Sequence, residues 1–200
     1  MSKDYASSTD SQLWSDFKEG SREAYSFIYQ KYAPVLYNYG YKIAQDRALV
    51  EDCIQDLFVH LITHRENLSH TDSIRFYLYK AVRREIIGKL KSLHKHPSDD
   101  VALPFELEIV SSPEFLLIEN QTFRERQEGL LKALNELPPR QKEAVFLRFY
   151  DNLGYEELAS VMGIDQRSAY KIIYKAIDSL HKRLVCELGF ISLLMILLYW

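Results

Sequence analysis

The sequence predicts an all-α protein of two small helical bundles joined by a linker, the second bundle containing a helix-turn-helix. Three observations carry that prediction. Glycine and proline are scarce, at 7 and 6 of 200 residues, while an apolar fraction of 47% is ample for packed cores. Apolar residues recur at helical spacing over runs longer than a strand needs, and no stretch alternates strictly enough to force one. One acidic, proline-bearing interruption then divides the chain. Residues 11–95 read as a first helical domain, 96–112 as an acidic linker, 113–188 as a second helical domain and 189–200 as an apolar tail.

In order, Ser11 to Glu19 presents Leu13, Trp14 and Phe17 on one face, and Gly20 with Ser21 ends that helix and caps the next. Ala24, Phe27, Ile28 and Tyr32 lead to Pro34, which is expected to kink or restart the helix before Val35, Leu36, Tyr39 and Ile43 resume the stripe. Asp46 to Ile62 follows, with Leu49, Cys53, Leu57, Phe58, Leu61 and Ile62 apolar and Glu51, Asp52, Gln55 and Asp56 on the remaining face. A long helix from Asp72 to about Leu93 carries Phe76, Tyr77, Leu78 and Tyr79 ahead of a basic run. After the linker, Glu114 to Leu137 is helical through Phe115, Ile118, Phe123, Leu130, Leu131 and Leu134 and stops at the Pro138–Pro139 pair. Pro139 suits an early helical position of the next element, Arg140 to Tyr150, whose Ala144, Val145, Leu147 and Phe149 are expected to pack inward.

Leu153 to Ala176 is the most informative stretch. Leu158, Val161 and Met162 mark one helix face, Ala169, Ile172, Ile173 and Ala176 mark another, and Gly163 sits between them where a left-handed turn is needed. Asp165 can cap the second helix by accepting its free N–H groups at the positive end of the dipole, and Ala159 is small where the helices must cross. This is the spacing of a helix-turn-helix, whose second helix lies in the DNA major groove. Gln166, Arg167, Ser168, Tyr170 and Lys171 would meet base edges, with Tyr174 and Lys175 one turn later against phosphates. A plain helical hairpin with Gly163 as a simple C-cap is the competing reading.

The formal net charge of -3 hides a segregation. Arg83, Arg84, Lys89, Lys91 and Lys95 crowd one stretch and Arg167, Lys171, Lys175, Lys182 and Arg183 another, with Asp99, Asp100, Glu106, Glu108, Glu114 and Glu119 between them. Two basic patches around an acidic connector suggest two DNA contacts, although either patch alone also suits a solvated helix face. Catalytic motifs are missing: no GxSxG, no HExxH, no glycine-rich phosphate loop. His60 and His64 lie one turn apart without an implied third ligand, so neither metal nor cofactor is expected. Cys53 and Cys186 form no CxxC pair, and the N-terminal segment has no secretory pattern, which together point to the cytoplasm.

The layout from Leu13 to Leu184 resembles the extracytoplasmic-function sigma factors, two-domain promoter-recognition subunits of bacterial RNA polymerase within the sigma-70 family. Glu51 to Leu61, EDCIQDLFVHL, is similar to the segment that docks on the clamp helices of the polymerase's largest subunit. The resemblance implies that Asp52, Gln55, Asp56 and Phe58 contact the core enzyme, as an aromatic anchor ringed by acids suits a basic helical partner. Phe58 within its own core is the competing reading. Phe76 to Lys91 looks like the segment that opens the promoter and reads the minus-ten element, which implies contacts from Tyr77, Tyr79, Lys80, Arg83 and Arg84 to unstacked bases and phosphates. Arg84 and Gly88 stand where the family has asparagine and aspartate; Phe76 and Leu78 read as core. Leu134 to Ile164 resembles the domain for the duplex minus-thirty-five element, departing at Gly154, where a serine cap is common, and the recognition helix departs at Ile172, where an arginine is usual.

The resemblance implies a non-catalytic initiation subunit whose partners are core polymerase, promoter DNA and an anti-sigma factor. A freestanding helix-turn-helix regulator and a membrane-tethered interaction protein are the alternatives. Phe190 to Trp200 follows Gly189, a natural helix stop, and lacks charge. Too short to cross a bilayer, that tail has three readings: folding back on its own core, touching a membrane surface, or docking on a partner.

Overall fold

The computed structural model describes residues 5–93, 105–106 and 121–198, with side chains described at 5–93, 105–106 and 128–184. The described residues are helical, with no strand among them, as the composition predicts. They form two compact units.

The first unit contains α1 (Asp10–Lys18), α2 (Arg22–Ala44), α3 (Arg47–Thr63) and α4 (Ile74–Leu93), with a 3-10 turn at Arg65–Asn67. The starts of α1, α2 and α3 are each marked by a short polar side chain. Thr9 and Gln12 form a reciprocal capping box on α1, Ser21 Oγ accepts from the Ala24 N–H, and Asp46 Oδ1 accepts from the Leu49 N–H. Gly20, at φ +97°, makes the left-handed turn between α1 and α2. Leu13, Trp14, Ile28, Leu36, Ile43, Leu61, Leu78 and Ile86 fill the core. Gly40 lets α2, α3 and α4 approach closely, since a Cβ there would lie 2.8 Å from Ile86 Cδ1 and 2.9 Å from Val50 Cγ1.

Pro34 does not restart the helix: α2 runs unbroken from Arg22 to Ala44. Both Pro34 and Gln30, whose carbonyl loses its donor, are exposed, so water can replace the missing bond while Ile28, Tyr32 and Leu36 hold the other face. Ile62, expected inside, is 41% exposed at the end of α3.

The second unit contains α5 (Gln121–Asn135), α6 (Pro139–Val145), a π-helical turn at Phe146–Tyr150, α7 (Tyr155–Met162) as far as Ala159, and α8 (Gln166–Leu198). Pro139 opens α6 as expected. The π turn rotates the register, so Phe146 is buried against Phe105 and Phe149 is turned out, 61% exposed; the inward placement of Phe149 is corrected. Leu130 is likewise exposed on α5.

Gly189 does not stop the last helix, because α8 continues to Leu198. An interior glycine costs a helix about 1 kcal/mol relative to alanine, which the leucine-rich sequence around it can offset. The side chains of the tail, of Cys186 and of Phe123 lie outside the described residues, as do Phe115 and Ile118 and all of the 96–112 linker apart from Phe105 and Glu106.

Candidate nucleic-acid interface

The helix-turn-helix is assembled by local chemistry. Gly163 takes φ +67°, and the Ile164 N–H donates to the Ala159 carbonyl at 2.9 Å, closing the end of α7. Open space surrounds a Cβ built at Gly163, so backbone conformation rather than crowding requires glycine there. Asp165 then starts α8: Oδ1 accepts from the Ser168 N–H at 2.9 Å and Oδ2 from the Ser168 hydroxyl at 2.6 Å. These bonds, the hydroxyl's first, hold the Asp165 carboxyl below its ordinary range.

Ala169, Ile173 and Ala176 are buried along one side of α8, with Ile172 half-buried, and Leu158, Ala159, Val161 and Met162 are buried on α7. Gln166, Arg167, Tyr170, Lys171, Tyr174 and Lys175 are all exposed on α8, Tyr174 at 66% and Tyr170 at 39%. Their spacing places them in one stripe at the N-terminal half of the helix. Ser168 is half-buried, and its hydroxyl proton is committed to the cap.

Two residues the sequence reading passed over complete this surface. Tyr155, the first residue of α7, stacks on Tyr170 with ring centroids 3.9 Å apart and planes at 21°. Arg148 lies with its guanidinium carbon 5.0 Å from the centroid of Tyr155 while donating to the Leu153 carbonyl at 2.9 Å. The available signal was an aromatic at a helix start next to a cation-bearing turn, which spacing alone does not connect to Tyr170.

On α4, Tyr77, Lys80 and Arg84 fall at i, i+3 and i+7 and share an outer stripe. Lys80 and Arg84 are exposed, Tyr77 and Arg83 half-buried, and the Tyr77 ring packs 5.0 Å from Trp14. Tyr79 is corrected: it is 0% exposed, on the inner stripe with Val82 and Ile86, with its ring 4.7 Å from Tyr39. Two positions along the helix turn its ring to the opposite side from Tyr77. Phe76 is half-buried and Leu78 buried.

The start of α4 is set from a distance. Asp10 Oδ2 accepts from the Ile74 N–H at 2.9 Å, and the Tyr32 hydroxyl lies 3.5 Å from the same carboxylate. Burial, and then the Asp10 charge, pushes the Tyr32 phenol up to about 12. Trp14 Nε1 donates to the Ser69 carbonyl at 2.9 Å, tying down the segment before α4.

On α3, Asp52, Gln55 and Asp56 form an exposed face, and Asp56 Oδ2 pairs with Lys89 Nζ at 2.7 Å. That hydrogen bond raises the Lys89 ammonium above its ordinary value. Both partners are open to water, so the pair contributes little and exchanges readily for another. Phe58 is corrected: it is 2% exposed, on the inner stripe with Ile54 and Leu61, and Tyr29 and Tyr25 close over it at 4.8 and 6.1 Å. Apolar side chains that do reach the surface nearby include Tyr29, at 45%, Val59, at 56%, and Ile62. A cleft of about 230 Å³ between α3 and α4 is lined by Asp56, His60, Tyr77, Ala81 and Arg84 among others. His60 and His64 stack on each other, 4.3 Å apart.

Two family models match the chain, over separate stretches. The family model described as sigma-70 region 2 matches residues 28–95, and that described as sigma-70 region 4 matches residues 127–180. The chain belongs to the sigma-70 family. Among characterised relatives, the ECF RNA polymerase sigma factor SigM of Bacillus subtilis is 25% identical over 151 residues, spanning 74% of this chain and 88% of SigM. The sigma factor SigV of the same organism is 26% identical over 150 residues, covering 74% of this chain and 82% of SigV. The solved structure of CnrH in complex with the cytosolic domain of CnrY shares the fold at TM-score 0.56 and 16% identity, covering 88% of this chain and 97% of CnrH. RpoE of Bartonella quintana, solved in complex with the anti-sigma factor NepR, does so at TM-score 0.55 and 18% identity, over 80% of this chain and 96% of RpoE.

As a sigma-70 family protein of the extracytoplasmic-function type, the chain is a non-catalytic initiation factor directing promoter-specific transcription. The region 2 match spans all of α3 and α4, and the region 4 match spans α6, α7 and the exposed stripe of α8. Among the described residues, no helix is long and apolar enough to cross a membrane.

Proposed function

We propose that this sigma factor divides promoter recognition and polymerase docking between three faces. The stripe Gln166, Arg167, Tyr170, Lys171, Tyr174 and Lys175 reads the duplex minus-thirty-five element from the major groove, while Ser168 holds the helix start. Tyr77, Lys80, Arg83 and Arg84 hold the separated strand of the minus-ten element, with cations on phosphates and the tyrosine against bases. Asp52, Gln55 and Asp56 dock on the clamp of the polymerase's largest subunit. Tyr29 and Val59 supply the apolar contact first assigned to Phe58, whose ring supports Tyr29 from beneath.

The observation that carries this reading is the sidedness of α8: an open polar and aromatic stripe at its start, opposite a buried apolar one. The complexes of CnrH with CnrY and of RpoE with NepR support an anti-sigma factor as a further partner of this chain, acting in the cytoplasm where the polymerase is.

The test adds purified protein to core polymerase and maps run-off transcripts over genomic DNA. Specific transcripts are expected from the wild type. Asp56→Arg should abolish them by loss of polymerase binding, and Arg167→Ala should lower affinity for the minus-thirty-five duplex about 10-fold, the usual cost of one base contact. Promoter-specific transcripts that survive both substitutions undiminished would falsify the assignment of these faces.

A further inference from the structure

The contact between Tyr155 and Tyr170 is not needed to join α7 to α8. Leu158 and Ala159 on α7, and Ala169 and Ile173 on α8, are already buried. The two tyrosine rings instead stack at the surface, 3.9 Å apart, one half-buried and the other 39% exposed. Tyr155 is itself fixed. Its helix begins at Gly154, whose N–H donates to Glu157 Oε2 at 2.8 Å, and the Arg148 guanidinium beside its ring is anchored on the Leu153 carbonyl.

Tyr170 stands between Arg167 and Lys171 in the exposed stripe. A tyrosine at such a position is ordinarily free to choose among rotamers, and that freedom is lost on binding. Here the stack holds one face of the ring before DNA arrives, leaving its remaining surface to meet the groove. The chemical feature of the major groove suited to a fixed aromatic surface is the thymine methyl group.

We infer that Tyr155 is a positioning residue that presets Tyr170 to read a thymine methyl in the minus-thirty-five element, an inference that rests on α8 reading duplex DNA. Tyr155 confers the preference through Tyr170 and without touching the base. Removing the stack frees the Tyr170 ring, so discrimination at one base pair is lost while phosphate contacts from Lys171 and Lys175 persist.

The experiment uses the full chain bound to core polymerase. A minus-thirty-five element is first selected from randomised duplex with the wild-type protein, and each thymine in it is then replaced singly by deoxyuridine, which removes only the methyl group. For wild type and Tyr155→Phe, which keeps the stack, one replacement is expected to weaken binding about 4-fold, the value of one buried methyl. For Tyr155→Leu and Tyr170→Leu the same replacement should change binding by less than about 1.5-fold. Because each variant is compared with itself on two probes, partial misfolding cancels from the ratio. A methyl effect of undiminished size in Tyr155→Leu, or no thymine sensitive to methyl removal in the wild type, overturns the inference. Failure of the wild type to select any duplex sequence would instead overturn the reading of α8 on which it rests.

Discussion

The two helices that carry the candidate DNA-contacting side chains differ in how far the bonds at their starts reach. α8 is capped by Asp165, the residue immediately before it, whose carboxylate bonds Ser168 three positions on. α4 has a local cap of the same form, Ser73 Oγ accepting from the Phe76 N–H, but its first free N–H, at Ile74, is satisfied by Asp10, 64 residues earlier in the chain, in a cluster with Tyr32. A locally capped helix carries its own start signal, so its exposed stripe depends on few other parts of the molecule. A helix whose first N–H is also held from α1 is placed partly by that helix, so the surface of α4 depends on more of the first unit. The contrast suits the proposed tasks: intact duplex presents a regular groove to a self-sufficient reading head, whereas a separated strand must be held by several elements at once.

The sharpest way to break this comparison is Asp10→Ala. It leaves the buried Ile74 N–H without its acceptor and removes the carboxylate beside the Tyr32 hydroxyl. The first unit should lose about 2 kcal/mol, the scale of a lost cap that strands a buried donor. Amide exchange at Ile74 and Arg75 should accelerate while that of α8 stays as it was. Asp10→Asn, which keeps an acceptor oxygen, should recover most of the loss. Equal protection of α4 in wild type and Asp10→Ala would show that the remote cap is incidental and that α4 starts on Ser73, whose Oγ accepts from the Phe76 N–H.

Asp165→Ala is the matching change in the second unit and should cost less, because the side chain is exposed and water can take over the freed N–H group. The melting temperature is expected to fall by less than half the drop seen for Asp10→Ala, with exchange accelerated at the first turn of α8 only. The pH dependence sharpens the point. The Asp165 carboxyl is held below its ordinary value of 3.8, so its contribution is complete above that value and fades as the pH falls through the lower, folded one. Asp165→Asn should remove that acid-side slope. A wild-type α8 whose protection is flat through the acid range would contradict the role given to the cap.

How legible each region is follows from the same contrast. The helix-turn-helix could be read from residues close together in the chain: Gly163 where φ is positive, Asp165 at the cap, and the buried pattern Ala169, Ile173, Ala176. In the first unit the helices were legible but the sides of their aromatics were not. Phe58 and Tyr79 each stand between a buried leucine and an exposed residue, Val59 or Lys80, and they pack against Tyr25, Tyr29 and Tyr39 of another helix. Asp10 gave no sign of reaching Ile74, because a tertiary cap has no sequence spacing. The remaining differences have local causes that compete with stronger ones. Pro34 is outvoted by the buried face of α2, Gly189 by the leucines beside it, and Phe149 is displaced by a π turn that adds one residue to the period.

The smallest expected effect tests whether the second unit tolerates further local reinforcement. Gly154 starts α7 with half of a capping box: Glu157 reaches back to its N–H, but there is no side chain at Gly154 to accept in return. Its φ is not in the left-handed region, and an added Cβ would meet only Glu157 Oε2, at an ordinary 3.5 Å. Gly154→Ser therefore fits without strain and should add a few tenths of a kcal/mol, raising the melting temperature by about 1 °C. Because the backbone that carries Tyr155 need not move, affinity for the minus-thirty-five duplex should be unchanged. A stabilised variant with altered base preference would mean that the start of α7 still shifts in the native protein and that Tyr155 is less firmly held than its contacts indicate. A destabilised one would mean that the turn from Leu153 into α7 needs glycine for a reason other than φ or space.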